Sequence, residues 1–462
     1  MSSSLSRFVR MLMLALVLGL AMARPAAAAD EDSGPSILRD TETEALFADI
    51  AKPLVEAANL DNKSVKVVLL NDDEINAFVA GSQNVYVNSG LVTRADNVNQ
   101  LQFVIAHELG HVAGGHAIRM GEGMKEATGI TLATMVLGAI AIAAGAGDAG
   151  LGLMMMGQRA AMGQFLAFTR AQETSADLAG ASYLHKAGIS GKGGLDFFKK
   201  LQNQEYRLAI YATDSYDRTH PLSSERISIL TNLFEKDSAW SKPTDPALEA
   251  RFQRVKAKLA GFINPKQAIT KYPETNQTVP AHYARAYAYH LGAYPDKALA
   301  EADALLKTNP HDPYFLELKG QILLESGRPA DAIAPLREAT EESGKAPLIA
   351  SMLSHALIST EKQKNLEEAK GILKTAVAVD NENPFAWYQL GIIYDSEGDT
   401  PRAALATAER NNLEGNPKLA LASAETAMRG IPAGTPDYLR AQDIAMVSRT
   451  ELKKDKKGRD RE

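Results

Sequence analysis

Residues 101–111 read LQFVIAHELGH, and the N-terminal half of the fold follows from this stretch. Leu101, Phe103, Val104 and Ile105 give a helix with a buried face, and we expect it to run from Val98 to Met120. His107 and His111 stand one helical turn apart on one face, so both imidazoles can reach the same ion. Glu108, between them, can reach a water beside that ion without binding the ion itself. A zinc ion, one per chain, would bring the pKa of such a water towards 7, and Glu108 would take its proton.

The third ligand divides the possible chemistries. A run of the type HExxHxxGxxH needs its last His at position 117, which is Ala117, and His116 is one residue out of register, about 100° around the helix. His116 therefore reads as a support for another ligand or as a surface group. The segment Arg170 to Asp177 offers Glu173 and Asp177, spaced i and i+4 on a following helix. One of these carboxylates can bind the ion while the other fixes a His ring through its distal nitrogen.

These residues resemble a family. HELGH, the Glu-x-x-x-Asp pair, the NVYV strand before the helix and Thr219-His220-Pro221 together look like the HtpX-like gluzincin metallopeptidases, relatives of the CAAX prenyl endopeptidases. An N-terminal export signal and C-terminal tetratricopeptide repeats extend the resemblance to the BepA-type periplasmic proteases of outer-membrane protein assembly. The resemblance implies that Glu173 is the third zinc ligand and Asp177 its partner behind the His. It also implies that His220 lies near the metal, stabilising an oxyanion or occupying the open coordination position. Asn84, Val85, Tyr86, Val87 and Asn88 form a candidate substrate-binding edge, where an extended peptide could pair by main-chain hydrogen bonds.

Further from the motif, Arg7 and Arg10, the apolar run Met11 to Met22 and the alanines ending at Ala29 read as a signal peptide over residues 1–29. The 462-residue chain carries a formal charge of −6, and that leader holds three Arg and no acid, so the remainder is more acidic still. Such a balance excludes a nucleic-acid partner held by charge. The absence of cysteine excludes disulfides, a thiol nucleophile and thiolate zinc ligands.

After the leader, Asp40 to Leu60 has helical spacing, Lys63–Leu70, Asn76–Val79 and Asn84–Val87 read as strands, and Ser223–Phe234 reads as a helix. Between a helix over Gln158–Lys186 and His220 we expect irregular chain. Ala127 to Gly147 is 21 residues without a charge. A single membrane crossing would separate His107 and His111 from Glu173, and the returning leg carries Gln158, Arg159 and Gln164 near its middle. The stretch therefore reads as a Gly/Met-rich lid or membrane-touching hairpin, with a buried helical core as the alternative.

Small residues recur at helix-pair spacing: Ala286 and Ala298, Gly320 and Ala332, Gly391 and Ala403. Trp387, Leu390, Gly391 and Tyr394 complete a tetratricopeptide pattern, and Ala408 with Ala420 suggests one helix shared by two repeats. The expected architecture is mainly α with a small β-sheet: a gluzincin-type metallopeptidase domain over 30–245, a linker helix region over 246–277, an α-solenoid of tetratricopeptide-like repeats over 278–450 and a charged tail over 451–462. The function it implies is a periplasmic zinc endopeptidase acting on misfolded or stalled envelope proteins. The alternative is a chaperone or adaptor for outer-membrane protein assembly with gated proteolysis. Expected partners are unfolded or misassembled envelope proteins, the assembly machinery through the repeats, and a membrane surface touched peripherally.

Overall fold

A short strand, β1 (Ser36–Leu38), opens the described chain of the computed structural model, which covers residues 36–80, 83–143, 147–208, 220, 221 and 223–459. Residues 1–29, expected to be a signal peptide, and Thr219 lie outside the described residues. Helix α1 (Thr41–Ala57) is started by the Asp40 side chain accepting from the Thr43 amide, and it buries Leu46, Phe47, Ile50, Leu54 and Val55 along one face.

Three strands follow: β2 (Val67–Asn71), β3 (Ala77–Ala80) and β4 (Asn84–Asn88). β4 runs parallel to β2, with Val67 opposite Val85, and antiparallel to β3, with Ala77 opposite Val87. This corrects one expectation. Asn84, Val85, Tyr86, Val87 and Asn88 do not form an edge, because β4 is hydrogen-bonded on both sides and cannot pair with a further strand. Strand β3 holds the outer position beside it.

After the short α2 (Ser89–Arg94) comes the central helix α3 (Val98–Ala113), buried on all sides from Val98 to Gly110. It ends earlier than its periodicity suggests. Gly114 caps it, and Gly115 adopts a φ of +61°, a left-handed turn from which the chain leaves in a new direction. The next helix, α4 (His116–Ala143), and the 41-residue α5 (Gly147–Ala187) form a long antiparallel pair. Its outer part exposes Leu132, Met135, Val136, Leu137, Ile140, Leu151, Met155 and Met156, so the apolar stretch is an exposed hairpin and the buried-core alternative is set aside. Among the described residues no helix is long and apolar enough to cross a membrane.

Helix α6 (Lys192–Leu208) occupies chain expected to be irregular. Gly193 and Gly194 mask its start in the sequence, and both are needed there: a Cβ on either would lie within 2.6 Å of Asn99 or Phe103 on α3. Leu195, Phe197, Phe198 and Leu201 then enter the core beside Phe103. Helix α7 (Ser224–Phe234) is capped by Ser223, whose hydroxyl accepts from the Arg226 amide. Helix α8 (Pro246–Ile263) packs Phe252, Val255 and Leu259 into the same core, and α9 (Pro265–Lys271) leads away.

Ten helices then stack in sequence: α10 (Val279–Leu291), α11 (Pro295–Thr308), α12 (Pro313–Glu325), α13 (Pro329–Glu342), α14 (Pro347–Ile358), α15 (Gln363–Val379), α16 (Pro384–Ser396), α17 (Thr400–Leu413), α18 (Pro417–Gly430) and α19 (Pro436–Arg459). The small residues sit at the crossings: Ala286, Ala298 and Ala332 are fully buried, and a Cβ at Gly320 would meet Leu336 at 2.3 Å. Trp387, Leu390 and Tyr394 fill the space beside them. Helix α17 packs on both α16 and α18, and Ala408 and Ala420 are fully buried between α17 and α18.

Candidate metal centre

Two glycines let α3 and α5 touch backbone to backbone. A Cβ on Gly110 would stand 2.7 Å from the Ala176 carbonyl oxygen, and one on Gly180 would stand 3.0 Å from the His107 nitrogen. This close crossing delivers Glu173 and Asp177 of α5 to the His107 and His111 face of α3. His220, between α6 and α7, completes the group.

His107, His111, Glu173 and His220 offer donor atoms that all lie within 4.8 Å of one another. His107 Nε2 is 3.0 Å from His111 Nε2 and 3.4 Å from Glu173 Oε2. His111 Nε2 is 3.3 Å from Glu173 Oε1. His220 Nδ1 is 3.3 Å from His107 Nε2 and 3.1 Å from Glu173 Oε2. Donors roughly 2.0–2.1 Å from a tetrahedral ion stand about 3.3–3.4 Å apart, so these separations approximate the edges of one zinc-sized tetrahedron. The imidazole and carboxylate set suits a borderline divalent metal.

The surrounding groups orient these donors. His107 Nδ1 is 2.9 Å from Asp177 Oδ1, which turns Nε2 towards the cluster, and His111 Nδ1 is 2.9 Å from His116 Nδ1. His116 is thus a support behind His111. His220 Nε2 is 3.1 Å from the Ala77 carbonyl of β3, so this ring also has its far nitrogen held.

Arg226 was not singled out from the sequence. Its Nε and Nη2 bind Asp177 at 2.6 and 2.9 Å, Nη1 reaches Glu173 at 3.1 Å, and Nη1 also donates to the Pro221 carbonyl at 2.7 Å. One buried guanidinium therefore fixes both carboxylates of α5 and the backbone that carries His220. A lone Arg six residues after a His has no periodicity or motif to mark it. The only local signal is the Ser223 cap that sets its helix.

The electrostatics favour a cation. Burial opposes ionisation of Glu173, yet the hydrogen bonds from the three His rings outweigh it and hold its carboxyl far below the usual carboxylate range. Burial likewise opposes Asp177, and Arg226 with His107 overcomes it. Burial would also discharge His107, but Asp177 and Glu173 prevail and raise it to about 10. A pocket that holds a proton this firmly among carboxylates is suited to hold a metal ion in its place. Burial takes His111 the other way, down to about 4, so at neutral pH its ring is uncharged and has a nitrogen lone pair with which to ligate.

Glu108 differs from its neighbours. It is fully buried, burial pushes its pKa up, and neither carboxylate oxygen has a hydrogen-bond partner among the described residues. Its Oε1 lies 3.5 Å from His220 Nε2. A buried carboxylate with no hydrogen bond, beside a cage of metal donors, is suited to receive a proton from water or substrate at the ion.

Comparison with known proteins agrees with this chemistry. Residues 40–233 match peptidase family M48, and residues 284–347 match the tetratricopeptide repeat. The beta-barrel assembly-enhancing protease of Escherichia coli (strain K12) is 26% identical over 400 residues, covering 84% of this chain and 79% of that protein. The protein of that name from Yersinia pestis is 26% identical over 397 residues, with the same coverage. Metalloprotease YcaL of Escherichia coli (strain K12) is 32% identical over 200 residues, 43% of this chain and 73% of YcaL. With the HELGH helix, the Glu173 carboxylate and these relatives in agreement, the chain belongs to peptidase family M48.

Proposed function

We propose that this chain is a zinc endopeptidase of the cell envelope that acts on unfolded or stalled outer-membrane proteins, with its repeats docking substrates or assembly partners. The observation that carries the reading is the buried Glu108 carboxylate, without a hydrogen bond among the described residues, beside the cluster of His107, His111, Glu173 and His220. The substrate class is taken from the beta-barrel assembly-enhancing proteases, which the chain matches through both its peptidase part and its repeats. The signal-like residues 1–29 support a periplasmic location.

His107, His111 and Glu173 would hold the ion, with Asp177 and Arg226 fixing their orientation. Zinc in that cage supplies Lewis acidity, lowering the pKa of an adjacent water and polarising a peptide carbonyl. Glu108 takes a proton from the attacking water and returns it to the leaving amine. Strand β3, beside His220, is the better candidate than β4 to align an extended substrate, since it occupies the outer position.

A gated form of this reading has its own observation. His220 Nδ1 stands at the fourth corner of the donor cluster, the position a working site leaves for water. In this arrangement His220 closes the site at rest and must swing away for turnover, which favours a docking or chaperone role while it is closed. The test compares wild type, Glu108→Gln and His220→Ala for cleavage of an unfolded protein and for rescue of an envelope-assembly defect. We expect Glu108→Gln to lose cleavage and rescue, and His220→Ala to cleave short peptides faster. Full rescue by an inactive Glu108→Gln chain would replace the protease reading with the adaptor one.

A further inference from the structure

The inner helices of the repeats and the peptidase core enclose a cavity of about 410 Å³, within the usual range of small-ligand pockets (about 300–1,000 Å³). Its apolar walls include Leu69 of β2, Leu259 and Phe262 of α8, Met352 of α14 and Phe385 of α16. Glu317 of α12 forms part of the wall, is only 9% exposed, and has no hydrogen-bond or ion-pair partner among the described residues. The Thr41 hydroxyl, of another lining residue, is buried and also lacks a hydrogen-bond partner among the described residues.

Carboxylates outnumber cations around the cavity. Arg39 is shared by Glu44 and Asp380, Lys258 by Asp40 and Glu42, and Arg254 by Glu42 and Asp312. Each cation is committed to two carboxylates, and Glu317 receives none. Burial, reinforced by Asp40 and Glu42 and opposed by Lys258, raises Glu317 to about 8, so near neutral pH it is largely an uncharged acid. A ligand cation would ionise it and supply the missing charge.

We propose that this cavity binds a lysine or arginine side chain of a docked polypeptide, its alkyl stem against the apolar walls and its cationic head at Glu317. Phe262 and Phe385 remain 40% and 42% exposed, so the site has an open apolar rim over which a longer chain can continue. Aromatic rings at the rim can attract a guanidinium or ammonium that passes over their faces. A free polyamine shares the head-group chemistry but would leave this rim unused. The proposal rests on the polypeptide-docking part of the reading above and not on proteolysis, so loss of cleavage would leave it standing.

The test uses full-length protein carrying Glu108→Gln, so that no probe is cut, and fluorescence anisotropy in about 0.15 M salt. The probes are capped heptapeptides identical except for a central arginine or its neutral isostere citrulline. We expect the arginine peptide to bind at least about tenfold more tightly (about 1.4 kcal/mol). Adding Glu317→Gln, which keeps the shape of the side chain, is expected to abolish that preference. Adding Phe385→Ala at the rim should weaken both peptides while keeping it. Equal binding of the two peptides, or a preference unchanged in a folded Glu317→Gln chain, overturns the proposal. Spermidine displacing the arginine peptide at equal concentration overturns the polypeptide assignment in favour of a free amine.

Discussion

Arg226 joins the two carboxylates of α5 to the backbone of His220, so its removal leaves Asp177 and Glu173 buried with less positive charge to balance them. Supports of this kind typically contribute 10–100-fold to metal affinity. Arg226→Ala is expected to weaken zinc binding by about that factor, read by competition with a chromogenic chelator; an unchanged affinity would mean the three donors hold their geometry alone. The protons make a second prediction. His107 keeps its proton to about 10 in the metal-free protein, so zinc must displace it, whereas His111, at about 4, has none to lose. Apparent zinc affinity should therefore rise about tenfold per pH unit from pH 6 to 9, with roughly one proton released per ion. A flat profile would contradict the His107 assignment. At this scale the sequence was informative where chemistry is local. Both His residues, Glu108 and the Glu173–Asp177 pair are marked by their spacing along single helices. Arg226 is not, because its partners lie 49 and 53 residues before it.

At the scale of elements, the crossing of α3 and α5 matters more than either helix. Glycine within a helix ordinarily costs about 1 kcal/mol relative to alanine, so Gly110 is kept for contact. Its missing Cβ is what admits the Ala176 backbone. Gly110→Ala should push α5 outwards, lowering stability by about 1–3 kcal/mol and reducing zinc content, both measurable by thermal melting and metal analysis. Gly152 and Gly163, on the exposed hairpin with nothing within 4 Å of an added Cβ, are the controls. Alanine at either should be neutral or stabilising by up to about 1 kcal/mol. Equal losses at Gly110 and Gly152 would show that helix propensity, not the crossing, governs this region. The strands illustrate what periodicity leaves open. Alternation locates NVYV as a strand, but strand order depends on which neighbours pair with it, and β2 and β3 both do.

Across the whole molecule, repeats and peptidase core are joined by a buried polar network. Glu42, 2% exposed, accepts Arg254 at 2.7 Å and the Tyr283 hydroxyl at 2.7 Å, with Lys258 at 3.5 Å. Lys66 and Glu382 also bridge the two parts, but their side chains are 58% and 62% exposed. Breaking a buried pair strands its partners and costs about 3–5 kcal/mol, whereas an exposed pair is worth at most about 1 kcal/mol. Glu42→Ala should therefore lower the denaturation midpoint clearly and Lys66→Ala hardly at all. Similar shifts for both would show that the network does not hold the parts together.

Whatever recurs within a few helical turns could be read from the amino acids alone. HELGH put two imidazoles on one face, the i and i+4 acids put two carboxylates on another, and small residues twelve apart phased the helix pairs. Each of these is a statement about one helix or one hairpin, and local backbone geometry suffices to read it. Long-range packing set how far α3 runs, put Asn84–Asn88 in the interior of the sheet, brought His220 to the fourth corner of the donor cluster, and turned Glu317 to a cavity shared by core and repeats. Those outcomes depend on groups far apart in the chain being brought together, and spacing along a sequence does not record which surfaces will meet.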